Sequence, residues 1–246
     1  MPPVAGAELS RRAFLGLGLS RRPEPIDGAG AAGRTPGAAA PARPTLATVR
    51  ARWDAARTAH GEAVWAEVEE GLRALAREVA GGGDHADPVL SVFGPQSTPA
   101  ARRAIDALFD AAAPRSLVAF SVWTSGAVVQ LLKAAADLDP LPPGVPGVWG
   151  WGSRERLRQD LDHHADEIHY RRRQLWFAAG SPAAAVDRLA GAVPALAAAL
   201  ERHGDEARAR FSPIVSTYAE SSERRAPGDT ALSVPVPYLL VVARAR

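Results

Sequence analysis

The residues best placed to do chemistry lie just past two short apolar runs. Val89-Leu90-Ser91-Val92-Phe93 is followed by Gly94-Pro95-Gln96, and Leu117 to Trp123 is followed by Thr124. Runs this short and β-rich have the profile of strands buried on both faces. Ligands of open α/β sheets bind beyond the carboxyl ends of strands, which makes Phe93, Gly94, Trp123 and Thr124 candidate pocket residues. For Phe93 and Trp123 the leading reading is a place in the core, with pocket contact as the alternative. Trp149 and Trp151 flank Gly150 in a Pro/Gly/Trp loop over 139–152. They read first as plugging the loop against the core, with a wall for a small molecule as the alternative. His85, His163 and His164 are candidates for moving a proton, since imidazole titrates near neutrality. No catalytic base is assigned.

Other constellations carry less. Asp162-His163-His164-Ala165-Asp166-Glu167-Ile168-His169 concentrates ligand atoms, but its spacing fits no common metal motif. It reads as a charged loop entering a strand, and no metal is assigned. Gly28, Gly30 and Gly33 spell G-x-G-x-x-G with no strand before them and no helix after, so they read as a chance match in a Gly/Ala tract. There is no cysteine, which excludes disulfide scaffolds, thiol nucleophiles and iron–sulfur sites. There is no nucleophile elbow and no Walker loop.

The elements that must position these residues follow from composition and period. The chain has 246 residues and 47% apolar content, enough for one large core. Residues 1–44 hold six arginines against Glu8, Glu24 and Asp27, a net +3, which leaves −1 for the rest. Basicity therefore sits in the arm, and no nucleic-acid partner is expected for the body. Arginine supplies all but one of the 29 basic residues, the exception being Lys133, which matches the codon bias of a GC-rich genome.

Residues 1–44 read as a disordered basic arm, since their Gly/Ala/Pro content cannot offset ordering entropy. Ser10-Arg11-Arg12 gives twin-arginine export as an alternative to the expected cytoplasmic location. No apolar run reaches the ~18 to 20 residues of a membrane span, so no membrane partner is expected.

From Thr45 a stripe with helical period runs through Val64, Val68, Leu72, Leu75 and Val79 to the stop at Gly81-Gly82-Gly83. It predicts a long amphipathic helix over 45–80, or a pair divided at Gly61. A helix capped by Thr98 with Pro99 in its first turn is expected next, running to Pro114. A further helix spans about 126–138, and Ser153 and Ser181 cap two more. Helical pattern then continues to about residue 223, interrupted near Gly204 and Pro213. Ile168 to Phe177 alternates as a half-solvated strand carrying Arg171, Arg172 and Arg173, and Val234 to Arg246 closes the chain as an apolar strand. Strand, helix, strand, helix with short links argues a parallel α/β unit.

Four segments in this order resemble one family. His85 to Gly94 is similar to the fourth strand of class I S-adenosylmethionine-dependent methyltransferases, of the ubiquinone/menaquinone or type 11 branch. Arg115 to Thr124 is similar to the fifth strand. Pro142-Pro143-Gly144-Val145-Pro146, Trp149-Gly150 and Arg154 to Leu161 resemble the linker and helix that follow. Val234 to Ala243 resembles the terminal strand. The resemblance covers about 160 residues and departs at one place: the glycine-rich strand–turn–helix that opens the family fold is absent.

The resemblance thus implies an α/β fold, a truncated Rossmann-like methyltransferase sheet of about four strands in family order 4-5-7-6, over 86–246. Within a 45–246 domain, the first three strands and most adenosyl contacts are lost. It further implies S-adenosylmethionine as cofactor near Phe93 and Gly94, and a small-molecule methyl acceptor near Trp123, Thr124, Trp149 and Trp151. Two readings stay open: a methyltransferase acting on that acceptor, and a non-catalytic module partnering an intact enzyme. Loss of three strands would leave Val89–Phe93 as an apolar edge, which the long helix, a second copy of the chain or a partner chain must cover.

Overall fold

Seven buried residues in succession, Leu117–Trp123, form the central strand β2. The computed structural model describes residues 59–81, 88–98, 100–220 and 232–246. The 1–44 arm, Thr45 to Thr58, His85 and Pro99 lie outside the described residues. In the rest, β1 (Val89–Ser91), β2, β3 (Ala165–Ala179) and β4 (Leu232–Ala245) form one mixed sheet in the order β1-β2-β4-β3. β1 runs parallel to β2, while β4 is antiparallel to both β2 and β3. Seven α-helices accompany the sheet among the described residues.

Helix α1 (Ala59–Val79) continues through Gly61, so the expected division there does not occur. Val68, Leu72, Leu75 and Ala76 are its buried stripe, and they lie against β2 and β4. Burying a side chain such as Leu72 contributes about 1.5–3 kcal/mol. The Trp65 indole donates to the Ala192 carbonyl at 3.3 Å, tying α1 to α5 (Pro182–Ala192). Helix α1 stops at Val79, and Gly81 follows at φ 75°, a conformation that suits glycine. At its end Glu78 accepts from Arg171 of β3 at 2.7 and 2.8 Å. The guanidinium holds the Glu78 carboxyl below its usual range. Described α1 therefore lies across the sheet, against β1, β2 and β4.

Four element boundaries differ from those the sequence predicts. β1 ends at Ser91 rather than Phe93, because Phe93 turns into the left-handed region at φ 49° and donates its N–H to Ser121 Oγ at 2.9 Å. Helix α2 (Ala101–Asp110) starts later than expected, with Ala100 at its N-cap; the Thr98 hydroxyl instead accepts from the Ala100 N–H at 3.3 Å. It also ends four residues before Pro114. Pro213 does not interrupt α7 (Asp205–Glu220). Phe211 and Val215 on either side of it are fully buried, so packing outweighs the one lost backbone bond.

Pro235 and Pro237 sit in a strand flanked on both sides, where proline is normally excluded. β2 pairs with β4 only as far as Tyr238, so both prolines fall where β4 has β3 alone as neighbour.

Helix α3 (Ala127–Leu138) follows β2, and α4 (Arg154–Leu161), α5, α6 (Pro194–His203) and α7 complete the set. The Ser153 and Ser181 hydroxyls accept from the N–H groups of Arg156 and Ala184 at 3.1 and 3.2 Å, the caps the sequence predicts. Ser153→Ala is expected to cost about 1 kcal/mol, seen as a lower urea midpoint with unchanged slope.

Candidate functional site

The carboxyl ends of β1 and β2 bring four of the six candidate residues together. Phe93 is fully buried and stacks on Trp123 with ring centroids 3.4 Å apart and planes 10° apart. Tyr238 closes the cluster edge-on, 5.8 Å from Phe93 and 6.5 Å from Trp123. Burial pushes the Tyr238 phenol up from its ordinary value. Gly94 is buried and leads into a 3₁₀ turn, Pro95–Ser97. Thr124 is buried as well, and its N–H donates to the Pro237 carbonyl at 3.1 Å. The hydroxyls of Thr124 and Ser91 are buried without a hydrogen-bond partner.

Gln96 organises this end of the sheet. β1 pairs with β2 only through Phe120, so the backbone of Trp123 has no strand on that side. The buried Gln96 amide takes that place. Its Oε1 accepts from the Trp123 N–H, and its Nε2 donates to the Trp123 carbonyl at 3.2 Å. The same Nε2 donates to the Val148 carbonyl at 3.1 Å, which ties in the second 3₁₀ turn, Val148–Gly152. A lone glutamine in a turn carries no sequence signal of this role; the preceding strand's early end reveals it.

The two tryptophans of that turn part company. Trp151 is buried, whereas Trp149 is half-buried at the rim. On its inner side lies a cavity of about 40 Å³ lined by Leu132, Ala135, Leu141, Val148 and Ala198. That is room for a few waters and no more. On its outer side an open groove of about 570 Å³ is lined by Gln130, Lys133, Asp137, Arg210 and Ile214, with Trp149 as one wall. The groove is open to solvent along the outer faces of α3 and α7. An ion pair between Arg210 and Asp137, 3.5 Å apart, lies on its lining. The groove's charged residues come from α3 and α7.

The residues at the β1 end can be weighed against the S-adenosylmethionine that the resemblance implies. An adenosyl group needs an open backbone approach and a free face for the base. Phe93 has its face on Trp123, and Gly94 is enclosed by the turn it starts. These residues do not fit the cofactor as they stand.

No protein-family model matches the chain, and no curated protein matches it. No described helix is long and apolar enough to cross a membrane.

Proposed function

We propose that the chain is a class I methyltransferase-like module that keeps the acceptor-side half of that fold and, by itself, binds no S-adenosylmethionine. The observation that carries this reading is the strand order β1-β2-β4-β3, with β1 and β2 parallel and β4 reversed. It agrees with the 4-5-7-6 order that the resemblance implies. On this reading the open groove beside Trp149 would serve as the acceptor-side surface. The stacked Phe93 and Trp123 fill the place where the cofactor would approach. Further strands on the β1 edge, from a second copy or a partner chain, would complete the sheet.

Titration calorimetry of the full chain with S-adenosylmethionine and S-adenosylhomocysteine tests this. No heat of binding is expected at protein concentrations where millimolar affinity would register. Micromolar binding would overturn the module reading and put the enzyme first.

A further inference from the structure

A second cluster lies at the opposite end of the sheet. Ala165 pairs with Ala245 and Leu117 with Arg244, whereas Trp123 pairs with Tyr238. The turn just before β3 therefore sits at the amino end of β2, far from the Phe93 stack. There His163 and His164 meet Asp106 of α2. His164 Nε2 stands 3.0 Å from Asp106 Oδ1, and one ligand atom from each of the three side chains lies within 4.8 Å of the others.

We propose that Asp106, His163 and His164 form a site for a divalent transition-metal ion of the zinc class. Two imidazole nitrogens and one carboxylate oxygen are a donor set such ions favour. A tetrahedral ion with bonds near 2.1 Å separates its ligand atoms by about 3.4 Å. The Asp106–His164 pair already stands close to that distance. The His163 ring must close the remaining gap; it is exposed and rests tilted on the His164 ring, with centroids 4.1 Å apart.

His164 is held in position from several sides. Its ring stacks on Phe109 at 4.8 Å, its N–H donates to the Leu161 carbonyl at 2.9 Å, and its carbonyl accepts from the Arg246 N–H at 3.1 Å. Its side chain is 16% exposed, against 44% for Asp106, so solvent reaches the cluster from the aspartate and His163 side. Three protein ligands leave one position for water or an exogenous ligand. The ion would join α2 to the start of β3, across a sequence separation of 58 residues.

Untagged full chain is titrated with Zn²⁺ by calorimetry, and Co²⁺ is added in parallel to read its visible d–d absorption. One ion per chain at micromolar or tighter affinity is expected, with an intense tetrahedral cobalt spectrum. His163→Ala and Asp106→Asn should each weaken binding by about tenfold or more while leaving the far-ultraviolet dichroism unchanged. If His164 and Asp106 form only a structural hydrogen bond, His163→Ala changes nothing, and that result overturns the proposal. Absence of binding at millimolar Zn²⁺, or unchanged affinity in either variant, overturns it equally.

Discussion

Gln96→Leu should lower the unfolding free energy by about 3 kcal/mol or more. The substitution keeps the volume roughly constant and removes every polar atom of the side chain. Three backbone groups then lose their partner: the N–H and C=O of Trp123 and the C=O of Val148. Gln96 is only 2% exposed, so water does not readily replace it. An orphaned buried group costs about 1–3 kcal/mol, and the added apolar burial returns part of that. Urea unfolding measures the change as a lower midpoint at constant slope. A loss below about 1 kcal/mol would show that Gln96 is not the surrogate strand proposed for this end of β2.

The second large effect is expected at Gly152. A Cβ built there would run into the carbonyl oxygen of Trp123 and stand 2.7 Å from the Thr124 Cα. Both are backbone atoms of the central strand and its exit, so neither can swing aside as a side-chain tip would. Gly152→Ala should therefore cost about 3 kcal/mol, at the upper end of overpacking changes. It should also shift near-ultraviolet dichroism, since Trp123 and Trp151 pack beside the clash. Gly150, two residues earlier, has open space around its Cβ direction. Gly150→Ala should stay within about 0.5 kcal/mol of the parent. Equal stabilities for the two variants would mean the turn does not press on β2 as described.

Both effects concern contacts that no local pattern announces. Phe93 lies in an apolar β-rich run, and its propensity is for strand. Its left-handed backbone is imposed by Ser121, 28 residues away, which receives its N–H. Pro213 reads as a helix breaker, yet α7 runs through it because Ala207, Phe211, Val215 and Ala219 are all buried on one face. Pro235 and Pro237 are tolerated in β4 because β2 pairs no further than Tyr238. The Asp162–His169 run looks like a charged loop until α2 brings Asp106 beside it.

What the amino-acid order determined by itself was local. The periods of the apolar residues set the α/β class, the buried strand β2, the stripe of α1 and the stop after Val79. The hydroxyls of Ser153 and Ser181 set two helix starts. These follow from interactions within a few residues, where spacing is the geometry. The tertiary structure alone decided where β1 ends, which side chain completes β2, how Phe93 and Trp123 fill the strand ends, and that Asp106 meets His163 and His164. Each of those depends on two segments far apart in sequence arriving at one place, and their separation in space is set by the packing of the whole sheet.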